Sequence, residues 1–337
     1  MSTRTRHLLA AAILLGSGAL RLLWEPALTQ RYQNEGLLSP PLDVGVREKV
    51  SQATYAVVLG GLRTLASTIV YLGAYDKFAT QRWADLERIF ETTVTISPNS
   101  RYYWDLGAWH MAKNAASYYQ SESKLNPIRA RAERLRWYEK GRSFLERGVR
   151  NNPRDGQLHL SLAQLYEDPF LFPDDKLACA EYEKAIALGV DSDSVKRAYL
   201  RALFRSGSDP HKAHAMLNEL LAVRENRLPT LLCLKYVTLW EERQKFGAPD
   251  PLKLCVEVFD TEDRAFRMLG PYYTSVRDRW PQDGVELTLR ILEQRRGISP
   301  DSPKSNIRMR EEDLANMHEL DERGVVPGME EIRQQGQ

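Results

Sequence analysis

Between residues 55 and 295 apolar side chains recur at spacings of three and four, and short clusters of Gly, Pro, Asn and Asp break the pattern at intervals. That rhythm is one helix after another, each with an apolar stripe. No segment combines strict alternation with the β-branched content of a strand, so the pattern predicts an all-α chain. Short helices in series cannot bury their apolar faces alone. Pairs of them must stack on neighbouring pairs, which points to an internal repeat of helical hairpins.

The clearest hairpin carries Leu162, Ala163 and Tyr166 on its first helix and Ala178, Tyr182 and Ala185 on its second, with Pro169 and Pro173 in the turn between them. Small residues at a crossing let two helices approach, and large ones fill the holes beside it. An earlier hairpin offers Tyr103, Leu106, Gly107 and His110, then Gly141, Leu145, Gly148 and Pro153. Residues 115–136 stand between its helices as extra sequence that either lengthens the hairpin or adds a loop. Before it, Leu72 and Gly73 precede Leu86, Phe90, Thr93 and Pro98. After it, Tyr199, Leu200 and Leu203 face Ala213, Leu217 and Leu220, and Cys233, Tyr236 and Trp240 begin a further pair closed by residues 252–258.

These spacings resemble the tetratricopeptide repeat family, closely over residues 65–225 and poorly over 226–295. The resemblance implies a solenoid of about four or five hairpins over residues 55–295. It also implies a concave groove lined by the first helices, in which a protein or peptide partner lies. Carried onto this sequence, the groove positions are Arg101, Trp104, Met111, Leu160 and Gln164, with Tyr103 turned into the core beside Trp104. The lysine and asparagine clamp by which some family members hold an acidic C-terminal peptide is not reproduced, because Leu160 and Gln164 stand at the corresponding positions.

The N-terminus adds a location. Arg4, Arg6 and His7 precede a charge-free run over residues 8–15, followed by Gly16, Ser17, Gly18 and Ala19. Residues 1–28 read either as a signal peptide with a small-residue exit or, preferably, as a retained signal anchor reaching Trp24, with Arg21 extending to the interface. Both readings place the bulk of the chain outside the cytoplasm, which in a double-membrane bacterium is the periplasm. Residues 29–54, with Gly36, Pro40, Pro41 and Gly45, read as a linker. The apolar stretch 55–75 holds Gly60, Gly61 and Arg63 and reads as a buried repeat helix in preference to a second span. Residues 296–337 form a polar, partly disordered tail, with one exposed helix over 311–322 striped by Leu314, Met317 and Leu320, which docks on its own domain or on a partner.

Charge and chemistry change this picture little. Forty-seven basic residues nearly balance forty-five acidic ones, and the net charge of +2 gives no global attraction for nucleic acid. Cys179, Cys233 and Cys255 lack CxxC spacing; Cys233 and Cys255 either pair after export or behave as small buried apolar groups. His211 and His214 share a helix face without a third ligand, and His110 suits a packing position. No nucleophile elbow, phosphate loop or zinc-protease helix is present. The sequence therefore predicts no enzyme, no catalytic residue, no metal and no cofactor. It predicts a membrane-tethered extracytoplasmic scaffold in an envelope assembly. The alternative is an envelope enzyme or enzyme subunit whose cleft is built by residues 115–136 and the C-terminal helices. The oligomeric state does not follow from the sequence.

Overall fold

The computed structural model describes residues 30–31, 62–121, 124–169, 171–276 and 279–322, and its regular elements among them are helices without a strand. The expected anchor over 1–28 and all but two residues of the expected linker lie outside this set. No described helix is long and apolar enough to cross a membrane. The chain divides into two compact units, Met1–Trp104 and Asp105–Gln337.

In the first unit, α1 (Arg63–Leu72) and α2 (Ala74–Ala79) pack on α3 (Trp83–Ile96). Trp83, Leu86, Phe90, Thr93, Val94 and Ile96 form the buried stripe of α3, the periodic set expected of a core-facing helix. Tyr71 lies against the rings of Phe90, Tyr102 and Tyr103, and its hydroxyl pairs with that of Tyr102 at 2.8 Å. Helix α1 buries Ala66 and Ser67 while Leu65, Ile69 and Leu72 stay exposed. The expected core pair Leu72 and Gly73 is thus a helix end open to solvent, with Ala66 and Ala74 taking the packed positions.

The division falls within α4 (Arg101–Trp109). The helix runs on through a π-helical turn (His110–Ala115) into α5 (Ala116–Ser121), and α6 (Pro127–Asn151) returns against both. Residues 115–136 therefore lengthen the hairpin. Asn126 caps α6 by accepting from the Arg129 amide, and Pro127 takes a first-turn position where no amide is needed. Gly141 sets the closeness of the crossing: a Cβ there would lie 2.5 Å from the Ala112 amide nitrogen and 2.8 Å from the Ala108 carbonyl oxygen.

Next come α7 (Gly156–Glu167) and α8 (Asp175–Ala187), capped by Asp155 and Asp174, whose carboxylates accept amide bonds from the first turns. Leu162, Ala163, Tyr166, Ala178, Tyr182 and Ala185 are all buried, as the spacing predicted. Ala185 has no exposed surface, so Ala185→Leu should overpack the crossing and cost about 1–3 kcal/mol in urea unfolding. An unchanged midpoint would show that the two helices do not meet at this residue.

Helix α9 (Asp193–Ser206) ends at Gly207, whose φ of 58° supplies the left-handed turn that starts α10 (Pro210–Ala222). Tyr199, Leu200, Leu203, Ala213, Leu217 and Leu220 close this pair. Helices α11 (Pro229–Gln244), α12 (Pro251–Phe259), α13 (Glu262–Val276) and α14 (Val285–Arg295) follow, each packed on its predecessor or on the one before that.

The polar stretch after Gly297 carries α15 (Asn306–Glu322), a longer helix than the 311–322 segment predicted, and it packs on α13 and α14 of its own unit. Its start is held by a buried carboxylate. Glu293 accepts from the Ser305 hydroxyl (2.8 Å), the Asn306 amide (2.7 Å) and the Asn306 side chain (3.1 Å). An anion at a helix N-terminus meets unpaired amides and the positive end of the dipole. Arg310 is buried one turn later, with its guanidinium over the Tyr273 ring and donating to the Tyr273 carbonyl and the Gln282 side chain.

Candidate functional site

The expected groove residues divide into two groups. Arg101 and Gln164 are exposed and Leu160 is half-buried, whereas Trp104 and Met111 are 3% and 2% exposed. Trp104 donates its indole N–H to the Pro98 carbonyl at 2.7 Å, so both its ring and its polar tip are satisfied internally. The expectation that Trp104 faces solvent while Tyr103 faces the core is not met, since both are buried. The packed stripe of this helix runs through Trp104, Gly107, Ala108 and Met111, one residue later than the register through Tyr103, Leu106, Gly107 and His110. The shift has a physical origin: Ala108, and not Leu106, lies at the close crossing with Gly141.

A one-residue shift rotates the helix by about 100° and brings a different aromatic residue outward. Trp109 is 52% exposed. Lys113, one turn on, places its ammonium 4.6 Å from the centre of the Trp109 ring and 2.6 Å from a carboxylate oxygen of Asp168, at the end of α7. A cation held over an indole face and paired with a carboxylate fixes the ring while leaving it open to solvent. On α7, Gln157 and Gln164 are exposed and Leu160 half-exposed along one side. Trp109 stands one residue after Ala108, and Gln164 one residue after Ala163.

Two ionic clusters join α7 to other helices. His159 Nδ1 is 2.5 Å from Glu181, its Nε2 is 3.3 Å from the Pro153 carbonyl, and Lys184 donates to the other Glu181 oxygen at 2.7 Å. These contacts join α7 to α8. Farther along, the buried Arg205 guanidinium donates to Glu167 and Asp175, each at 2.7 Å, and lies over the Trp280 ring. Asp175 also accepts from Arg279 at 2.9 Å, and Glu167 from the Tyr182 hydroxyl at 2.6 Å. Every charge here has a partner, which is what burial of ions demands.

The remaining candidates have quieter surroundings. His110 is half-buried beside Asn114, and burial holds its imidazole below the ordinary value. His214 stacks on Phe204. Cys179, Cys233 and Cys255 are free and buried, and burial pushes all three thiols up, Cys255 to about 12. Neither the π-helical turn nor the Arg205 cluster was foreseen from sequence. The turn leaves no periodicity of its own, and the cluster's members are spread over residues 167–280. No family model, curated protein or solved structure matches the chain.

Proposed function

We propose that the hairpins of residues 105–222 stack as a tetratricopeptide-type solenoid, and that this stack is a membrane-tethered extracytoplasmic scaffold holding a protein or peptide partner. The observation that carries this reading is Trp109, a half-exposed indole held by Lys113 on a first helix. Rigid aromatic side chains supply contact area at low entropy cost and dominate protein interfaces. Leu160 and Gln164 continue the face, and Met111 supports the helix from within; Arg101 and Trp104 belong to the first compact unit and are left out of this face.

The test is capture of a partner from membranes by the full chain tagged at its C-terminus, with in-situ crosslinking. Trp109→Ala should weaken capture by roughly 2 kcal/mol or more with stability nearly unchanged. Trp104→Ala should instead destabilise the fold by about 3 kcal/mol. Undiminished capture by Trp109→Ala would remove the proposed face. A C-terminal reporter active only outside the cytoplasm tests export separately, and an inactive reporter at normal expression would overturn it.

A further inference from the structure

We propose that the tip of the long α5–α6 hairpin, residues 124–136, is a contact surface for an anionic lipid bilayer. The extension adds no fully buried residue to α6, whose core contacts begin at Trp137. What it adds is an outward face. Leu125, Ile128, Arg129, Ala132 and Arg136 are all exposed, with Ile128 at 81%. Their spacing places them along one side of the helix start. Residues 124–136 carry five basic side chains against the single acid Glu133, in a chain whose total charge is only +2; Glu133 pairs with Arg136 at 3.2 Å and Arg134 lies over the Phe172 ring, so the segment keeps a net positive charge with Lys124 and Arg129 on its exposed side.

Exposed branched aliphatic groups ringed by arginines suit the boundary between acyl chains and phosphate headgroups. The apolar side chains enter, the long cationic stems reach back, and the guanidinium groups pair with phosphate. A single-stranded nucleic acid would meet the same charge but needs aromatic platforms for its bases. The nearby candidates are occupied, since Tyr118 and Tyr119 pack on each other and Tyr119 stacks on Trp137 with ring planes 10° apart. The surface relies on the tether reading only to bring the domain to a bilayer, and its own contact with lipid is a separate property.

The experiment labels Ile128→Cys in the full chain with an environment-sensitive fluorophore, using the unsubstituted chain, whose cysteines are all buried, as the labelling background. The labelled protein is reconstituted into vesicles of phosphatidylcholine alone or mixed with phosphatidylglycerol. The expected result is blue-shifted emission, quenched by spin-labelled lipid, in the phosphatidylglycerol vesicles only, and lost on adding Arg129→Glu and Arg136→Glu or on raising salt. Equal emission in both vesicle types, or insensitivity to the charge reversals, would overturn the proposal. So would a shift produced by a single-stranded RNA oligonucleotide and not by vesicles. Carbonate-resistant retention in the same vesicles reports the tether independently: retention without quenching removes the tip contact, and quenching without retention removes only the tether.

Discussion

Gly141→Ala should be among the most damaging single-methyl additions possible in this chain. In an open helix the change would stabilise by up to about 1 kcal/mol, because alanine is the better helix former. Here the added Cβ would stand 2.5 Å from the Ala112 nitrogen, 2.6 Å from the Ala112 Cβ and 2.8 Å from the Ala108 oxygen. Two of these neighbours are backbone atoms, so no rotamer change relieves the contact, and α6 must move away from the π-helical turn at the crossing. Overpacking of this kind costs about 3 kcal/mol or more, which outweighs the propensity gain and leaves a net loss of at least about 2 kcal/mol. Urea unfolding followed by tryptophan fluorescence checks this, since Trp104, Trp109 and Trp137 lie on the two helices. A midpoint equal to that of the parent chain would mean that the helices do not cross at Gly141.

The second large effect is expected at Arg205. Its guanidinium serves two carboxylates at once and is itself almost inaccessible, with 7% of its side chain exposed. Arg205→Ala would leave Glu167 and Asp175 partly buried, one still bonded to Tyr182 and the other to Arg279, without the cation between them. Removal of one partner from a buried ionic group costs about 3–5 kcal/mol. Neutralising the group as a whole, with Glu167→Gln, Asp175→Asn and Arg205→Met together, should recover much of that loss. Thermal unfolding of the parent, single and triple variants distinguishes the outcomes, and a triple variant no better than the single would show that the cluster contributes packing instead of charge compensation.

The helices were legible in the sequence where two signals agreed. Periodic apolar residues interrupted by clusters of Gly, Pro, Asn and Asp marked helices that the structure contains, and the structure adds their start points, capped by Asp155 and Asp174 or begun by Pro210 and Pro251. The register of α4 was less legible, because Tyr103 and Trp104 are both large aromatic residues and either can head a packed stripe. The deciding feature was a glycine 37 positions later, and proximity of that kind is not a local property. The start of the tail helix, at Asn306 instead of 311, was missed for a related reason. Glu293, Asn306 and Arg310 look solvated in sequence, and their burial depends on partners that meet only when α13, α14 and α15 are assembled. Of the proposed face, repeat spacing singled out Leu160 and Gln164, which the structure leaves half-buried and exposed, while the one-residue difference in register kept Trp109 out of the expected set.

The contact of Arg279 with Asp175 spans 104 positions along the chain. In an array held together by adjacent hairpins alone, stability behaves as a one-dimensional sum, and melting starts at whichever end is weakest. A bond between distant helices opposes that freedom, because opening of the helices between them must also break it. Residues 175–280 should then exchange their amide hydrogens as one cooperative block, at a common free energy, with independent opening confined to the segments outside that loop.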